Sequence, residues 1–98
     1  LTERITEAER ERLELLIEEL GESIQAATKI LRFGYEERHP RRPDGETNRQ
    51  ALERELADVR AAIVVMFRSR DIDDGSMERL AAEKYSRLRQ FLIHQEPW

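Results

Sequence analysis

No cysteine occurs among the 98 residues. That excludes disulfides and thiolate metal sites as reinforcement for a chain too short to bury more than one small core. It also fits a reducing compartment, so the cytoplasm is the expected location. Long hydrophobic runs are missing too: no stretch approaches the roughly 20 apolar residues that cross a bilayer, and nothing near the start resembles a secretory signal. A soluble protein with no membrane partner is the expectation. An excess of positive charge is likewise absent, with 17 basic against 21 acidic side chains and a net charge of −4. Such a chain has no global field for a nucleic-acid polymer, although a small, highly charged ligand is compatible with it where cations gather locally or a metal ion intervenes. Finally, no segment alternates in the manner of a β-strand.

What is present is helical periodicity in three segments, so the expected fold class is all-α. A single domain over residues 1–98 accounts for the length. Thr6 with Glu9 reads as a capping box that opens a helix over about 7–33, and Gly34 stops it. Residues 35–46 hold Pro40, Pro43 and Gly45 among mixed charges and form a loop. Thr47 with Gln50 caps a second helix over about 48–69. Asp71 to Gly75 is a turn, Ser76 opens a third helix over about 77–93, and a short tail runs through Pro97 and Trp98.

Projected at 100° per residue, each helix carries more than one apolar stripe. In the first helix Leu13, Leu16, Ile17, Leu20, Ile24, Ala27 and Leu31 make the first face, and Leu15, Ala26, Ile30 and Phe33 make another. In the second, Leu52, Leu56, Val59, Ile63, Met66 and Phe67 form the principal face, with Ala51, Ala62 and Val65 beside it. Three helices can hardly cover all of this. A homo-oligomer, dimer or tetramer, that completes a four-helix-bundle-type core is the economical expectation.

Acidic residues interrupt these stripes. Glu19 with Glu22, and Glu55 with Asp58, are three apart and therefore neighbours on their helices. Glu19 and Glu22 fall within the second stripe, and Glu55 and Asp58 flank the small residues of the other helix. Either pair alone, in a chain that is 39% charged, is usually a solvated helix face. If the two stripes meet, however, four carboxylates converge, and their repulsion calls for a cation or for protonation. Oxygen-only ligation of this kind suits Mg2+, with Mn2+ as a substitute.

The stretch Glu18-Glu19-Leu20-Gly21-Glu22, followed after 32 residues by Glu55-Leu56-Ala57-Asp58, resembles the EExxE and ExxD pair of the MazG-like nucleotide pyrophosphohydrolases. Lys29-Ile30-Leu31-Arg32-Phe33-Gly34, the Pro-rich loop and Thr47-Asn48-Arg49 are similar to small phage and bacterial members of that group, so the resemblance spans about residues 13 to 93. It implies an α-helical dimer or tetramer that hydrolyses a nucleoside triphosphate to monophosphate and pyrophosphate. It also implies Mg2+ ligation by Glu19, Glu22, Glu55 and Asp58. Metal ions would stand between phosphate and carboxylate oxygens and polarise the phosphorus; water would attack the α-phosphorus, with Glu18 the candidate base or a residue supporting a ligand. Two positions depart from the commoner pattern, Ala57 for a glycine and Arg60 for an apolar residue, and neither removes a ligand.

Cations supply the candidate phosphate contacts. Lys84 lies within the apolar stripe of the third helix, where it either reaches phosphate or snorkels past the core edge. Lys29 projects near Glu22 and Arg32 follows; both could bind phosphate or simply favour the C-terminal end of their helix. Asn48 could contact base or sugar, or serve the helix start. Phe33 and Tyr35 could stack on a base or pack under the loop. Arg38, His39, Arg41 and Arg42 are balanced by Glu36, Glu37, Asp44 and Glu46, which reads as a solvated, mobile loop, or as a lid if substrate orders it. Neither His39 nor His94 supplies the ExxH spacing of di-iron bundles. The alternative to an enzyme is a non-catalytic helical oligomerisation or nucleotide-binding module.

Overall fold

Two capping boxes set where the chain begins to coil. In the computed structural model, which describes residues 4–96, Thr6 Oγ1 accepts the Glu9 N–H at 3.1 Å while the Thr6 N–H donates to Glu9 Oε1 at 2.7 Å. Helix α1 follows over Glu7–Phe33. It ends where Gly34 turns to φ 89°, a region closed to most side chains, with its N–H still bonded to Ile30 O at 2.7 Å. The same device, Thr47 with Gln50, opens α2 over Asn48–Arg68. That helix closes in a Schellman arrangement: the Arg70 N–H donates to Phe67 O and the Asp71 N–H to Met66 O, with Arg70 itself at φ 64°. Asp73 then caps α3, Asp74–Arg87, by accepting the Ser76 N–H at 2.8 Å. The described residues thus form three α-helices and no strand, only an isolated bridge between Arg38 and Thr47. Of the expected tail, Pro97 and Trp98 lie outside the described residues.

Helices α1 and α2 form an antiparallel hairpin. At its closed end Asn48 Nδ2 donates to Gly34 O at 3.0 Å, and at the far end Arg12 grips Asp71 with two hydrogen bonds of 2.6 and 2.9 Å. Between them the two helices meet along seams spaced alternately four and three residues. On α1 the seam is Arg12, Leu16, Glu19, Ser23, Ala26 and Ile30; on α2 it is Leu52, Glu55, Val59, Ala62 and Met66, all buried or half-buried. Such a 4-3 pattern keeps one edge of each helix facing the other along its whole length. Small side chains at Ser23, Ala26 and Ala62 let the helices approach closely.

Two expectations need correction. Leu16, expected in the Leu13 to Leu31 stripe, lies on the seam with the acids, whereas Leu15 and Phe33, expected in the stripe that carries the acids, are 40% and 55% exposed. Ile17 and Ile24 remain 67% exposed and Leu31 87%. Helix α3 was expected over 77–93; it starts three residues earlier, because Asp73 rather than Ser76 is the cap, and it gives way at Leu88 to a 3-10 turn, Leu88–Gln90. Its apolar side explains the early end. Leu80, Phe91 and Ile93 are exposed, and α3 makes no extensive packing against the hairpin. An amphipathic helix without a packing partner keeps little of its stability, and its last turn frays first. The chain is correspondingly elongated, with a radius of gyration of 17.3 Å where a compact domain of this length has about 13 Å.

Candidate metal centre

The seam geometry brings the two acid pairs face to face. Glu19, Glu22, Glu55 and Asp58 each place a carboxylate oxygen so that all four lie within 4.8 Å of one another. Glu55 is buried, Glu19 and Glu22 are half-buried, and Asp58 reaches solvent. Burial pushes Glu19 above the ordinary glutamate range, and the charges of Asp58, Glu18 and Glu55 push the same way. Glu22 is raised chiefly by the Glu55 carboxyl beside it, with which it would share a proton, and then by the charge of Glu19. Both shifts have one meaning: four ionised carboxylates at this spacing are unfavourable unless a proton or a cation stands among them.

A second observation separates this cluster from an ordinary acidic surface. Glu19 Oε2 and Glu55 Oε2 are buried and have no hydrogen-bond partner. Buried oxygens of this kind lose their water without recompense and normally have a partner. A set of hard oxygen donors with free lone pairs turned inward fits a divalent cation such as Mg2+ or Mn2+.

Glu55 is held in place from behind. Arg54 Nη1 donates to Glu55 Oε1 at 2.6 Å, and its Nη2 and Nε reach Glu46 at the base of the loop at 2.7 and 3.3 Å. One oxygen of Glu55 is therefore occupied by Arg54 while the other faces the cluster. Glu46 is held below the ordinary carboxylate range, chiefly by that hydrogen bond from Arg54. Next to the acids opens a cavity of about 390 Å³, walled in part by Glu22, Lys29, Asn48, Arg54 and Glu55.

The remaining expected residues divide. Lys29 stands at the junction between this cavity and the space beneath the loop. Glu18 is exposed and acts on Glu19 and Glu22 only through its charge. Arg32 lies over the Phe33 ring, 5.0 Å from its centre. Asn48 is buried and its amide is committed to Gly34 O, so its main work is to close the loop. Lys84 sits on α3 over the Phe91 ring at 5.4 Å and is not brought to the carboxylates within one chain. Tyr35 lies beneath the Arg49 guanidinium, 4.4 Å from it.

Arg54, Glu46 and the Arg12–Asp71 pair were not anticipated. Arg12 had a readable signal: continuing the acid-bearing stripe toward the N-terminus by steps of three and four from Glu19 reaches Leu16 and then Arg12. Arg54 had none, since its two partners lie on a loop and on the adjacent residue. No family model matches the chain, and no curated protein and no solved structure matches it either.

Proposed function

We propose that the chain is a Mg2+-dependent nucleoside triphosphate pyrophosphohydrolase, of the MazG-like kind its motifs resemble, converting a nucleoside triphosphate to the monophosphate and pyrophosphate. One observation carries the reading: two buried, partnerless carboxylate oxygens within a four-carboxylate set, at the positions where the resemblance puts metal ligands. Glu19, Glu22, Glu55 and Asp58 would hold the cation. When bound, it would supply positive charge to polarise the phosphate under attack. The chain's own residues do the rest. Arg54 orients Glu55, Lys29 offers a positive charge at the mouth of the acid pocket, and Glu18, next to the ligand set and open to solvent, is the candidate base.

The uncovered stripe of α1 supports a homodimer or tetramer as part of this reading. Leu13, Ile17, Leu20, Ile24, Ala27 and Leu31 repeat the 4-3 spacing of the occupied seam, and no side chain among the described residues is wholly buried. A second copy laid on that stripe would complete a four-helix core. The cytoplasm is the proposed location, and no helix among the described residues is long and apolar enough to cross a membrane. The test is direct. Purified protein with magnesium should release pyrophosphate, not orthophosphate, from at least one nucleoside triphosphate, and Glu22→Gln or Asp58→Asn should abolish release while circular dichroism stays unchanged. Orthophosphate as the product, or full turnover by Asp58→Asn, would sink the assignment. Saturable binding of a nucleotide with no turnover would favour the non-catalytic module instead.

A further inference from the structure

The loop between α1 and α2 is built rather than slack. Within it the Arg42 N–H donates to His39 O at 2.8 Å, the Gly45 N–H to Arg42 O at 2.9 Å, and Arg38 Nε to Gly45 O at 3.0 Å. The Arg41 N–H donates to His39 Nδ1 at 3.1 Å. The turn is tight at Gly45, where a Cβ would stand 3.1 Å from Arg42 O and 3.3 Å from Arg42 Cβ and Arg42 would have to give by a few tenths of an ångström. This folding makes the loop one wall of a cavity of about 700 Å³, lined by Lys29, His39, Arg41, Arg42, Gly45 and Glu46.

The charges around this cavity do not balance. Glu46 is the one carboxylate lining it, and that carboxylate is already taken by Arg54. Arg38 and Arg49, from the same region, are committed to Gly45 O and to Glu36. Among the described residues the side chains of Arg41 and Arg42 have no hydrogen-bond or ion-pair partner, and Lys29 acts on Glu46 through its charge without a hydrogen bond. Three cations held round one concavity with a single, shared carboxylate repel each other, and an anion among them relieves that repulsion. Lys29 and Glu46 also line the cavity that reaches Glu22 and Glu55, so the cationic chamber and the carboxylates open onto one another.

We propose that Lys29, Arg41 and Arg42 form a subsite for the terminal phosphates of a linear oligophosphate, separate from the carboxylates and independent of any cation they hold. The arginines suit bidentate contact with phosphate oxygens, and Lys29 contributes a compact charge between the two chambers. That the oligophosphate belongs to a nucleotide rests on the pyrophosphohydrolase reading; that the chamber binds phosphates in a row does not.

The test is calorimetric titration of inorganic tripolyphosphate into the full chain in EDTA, which silences the carboxylate set. Wild-type protein should give saturable heat that weakens as salt is raised. Arg41→Ala with Arg42→Ala should lower affinity by at least about tenfold, Arg41→Lys with Arg42→Lys should restore part of it, and Arg79→Ala with Arg87→Ala, equal in charge but on α3, should change nothing. A nucleoside triphosphate should compete and a nucleoside monophosphate should not. The proposal is overturned if wild type shows no saturable heat, if the α3 variant loses as much as the loop variant, if the monophosphate competes equally, or if a short single-stranded oligonucleotide displaces tripolyphosphate at the same concentration. Failure of the pyrophosphohydrolase reading shows itself elsewhere, as absence of pyrophosphate release with magnesium, and leaves the EDTA titration intact.

Discussion

The hairpin seam holds charge in two places, and they are built to opposite rules. Near the α2–α3 turn, Arg12 and Asp71 neutralise each other through a bidentate pair whose side chains are only 20% and 13% exposed. Midway along the seam, four carboxylates face one another with only Arg54 at the edge to balance them. The first arrangement needs nothing from outside the chain. The second is incomplete as it stands, and two acids in it bind protons more readily than glutamates in water. A fold that carries an unbalanced cluster beside a balanced one accepts a local loss of stability at the first.

Divalent metal should separate the two regions most sharply. Magnesium or manganese should raise the melting temperature of the wild-type chain by several degrees. Glu19→Gln and Asp58→Asn should remove that response. In the metal-free state Glu19→Gln should itself melt higher than wild type, since it relieves repulsion. A stabilising Glu19→Gln that still responds fully to metal would mean the cluster is not where the ion sits.

Next in size is the effect of breaking the balanced pair. Arg12→Ala leaves Asp71 half-buried beside the seam with no counter-charge, and should lower the melting temperature by several degrees with or without metal. Asp71→Asn should act in the same direction. Differential scanning fluorimetry with and without EDTA would place the two clusters on opposite sides of wild type, and equal signs for Glu19→Gln and Arg12→Ala would erase the contrast.

Stability should also follow pH differently at the two places. Glu19 and Glu22 have raised values in the folded chain, so the folded state binds extra protons between the ordinary glutamate range and those raised values. Their contribution to stability is complete below the ordinary value and is lost as pH rises through the folded one. Asp71, lowered chiefly by its hydrogen bond from Arg12, behaves conversely: its contribution is complete above the ordinary aspartate value and is lost as pH falls through the folded one. Melting temperature in EDTA should therefore climb on mild acidification and fall on stronger acidification. Magnesium should flatten the upper limb alone.

The smallest effect belongs to the turn that carries Asp71. Arg70 occupies the left-handed region at φ 64° in a Schellman turn, where glycine is the usual residue. Arg70→Gly should stabilise by about 0.5–1 kcal/mol, the relieved backbone strain exceeding the added freedom of the unfolded chain. Urea unfolding would measure it, and a loss of stability would mean that the Arg70 side chain holds the turn by other contacts.

Much of this architecture was legible in the residues. Thr6 with Glu9, Thr47 with Gln50 and the stop at Gly34 are local chemistry, completed within a few residues, and the acid pairs followed from helical spacing. Two things were not legible. An apolar stripe says what a helix can bury and not which neighbour will bury it, so Leu16 was grouped with the leucine-rich face of α1 although it packs on the seam with the acids. For the same reason Leu88, Phe91 and Leu92 read as α-helix although the α1–α2 hairpin does not pack extensively against this end of the chain. Arg12 and Asp71 are 59 positions apart, and only the folded hairpin makes them neighbours.

Arg54 has its two hands in different places, one on the floor of the acid pocket and one at the foot of the loop. Whatever draws Glu55 toward the centre of the cluster must tug on a side chain that also anchors Glu46. A cation that drew Glu55 inward would therefore pull, through one guanidinium, on the foot of the loop as well.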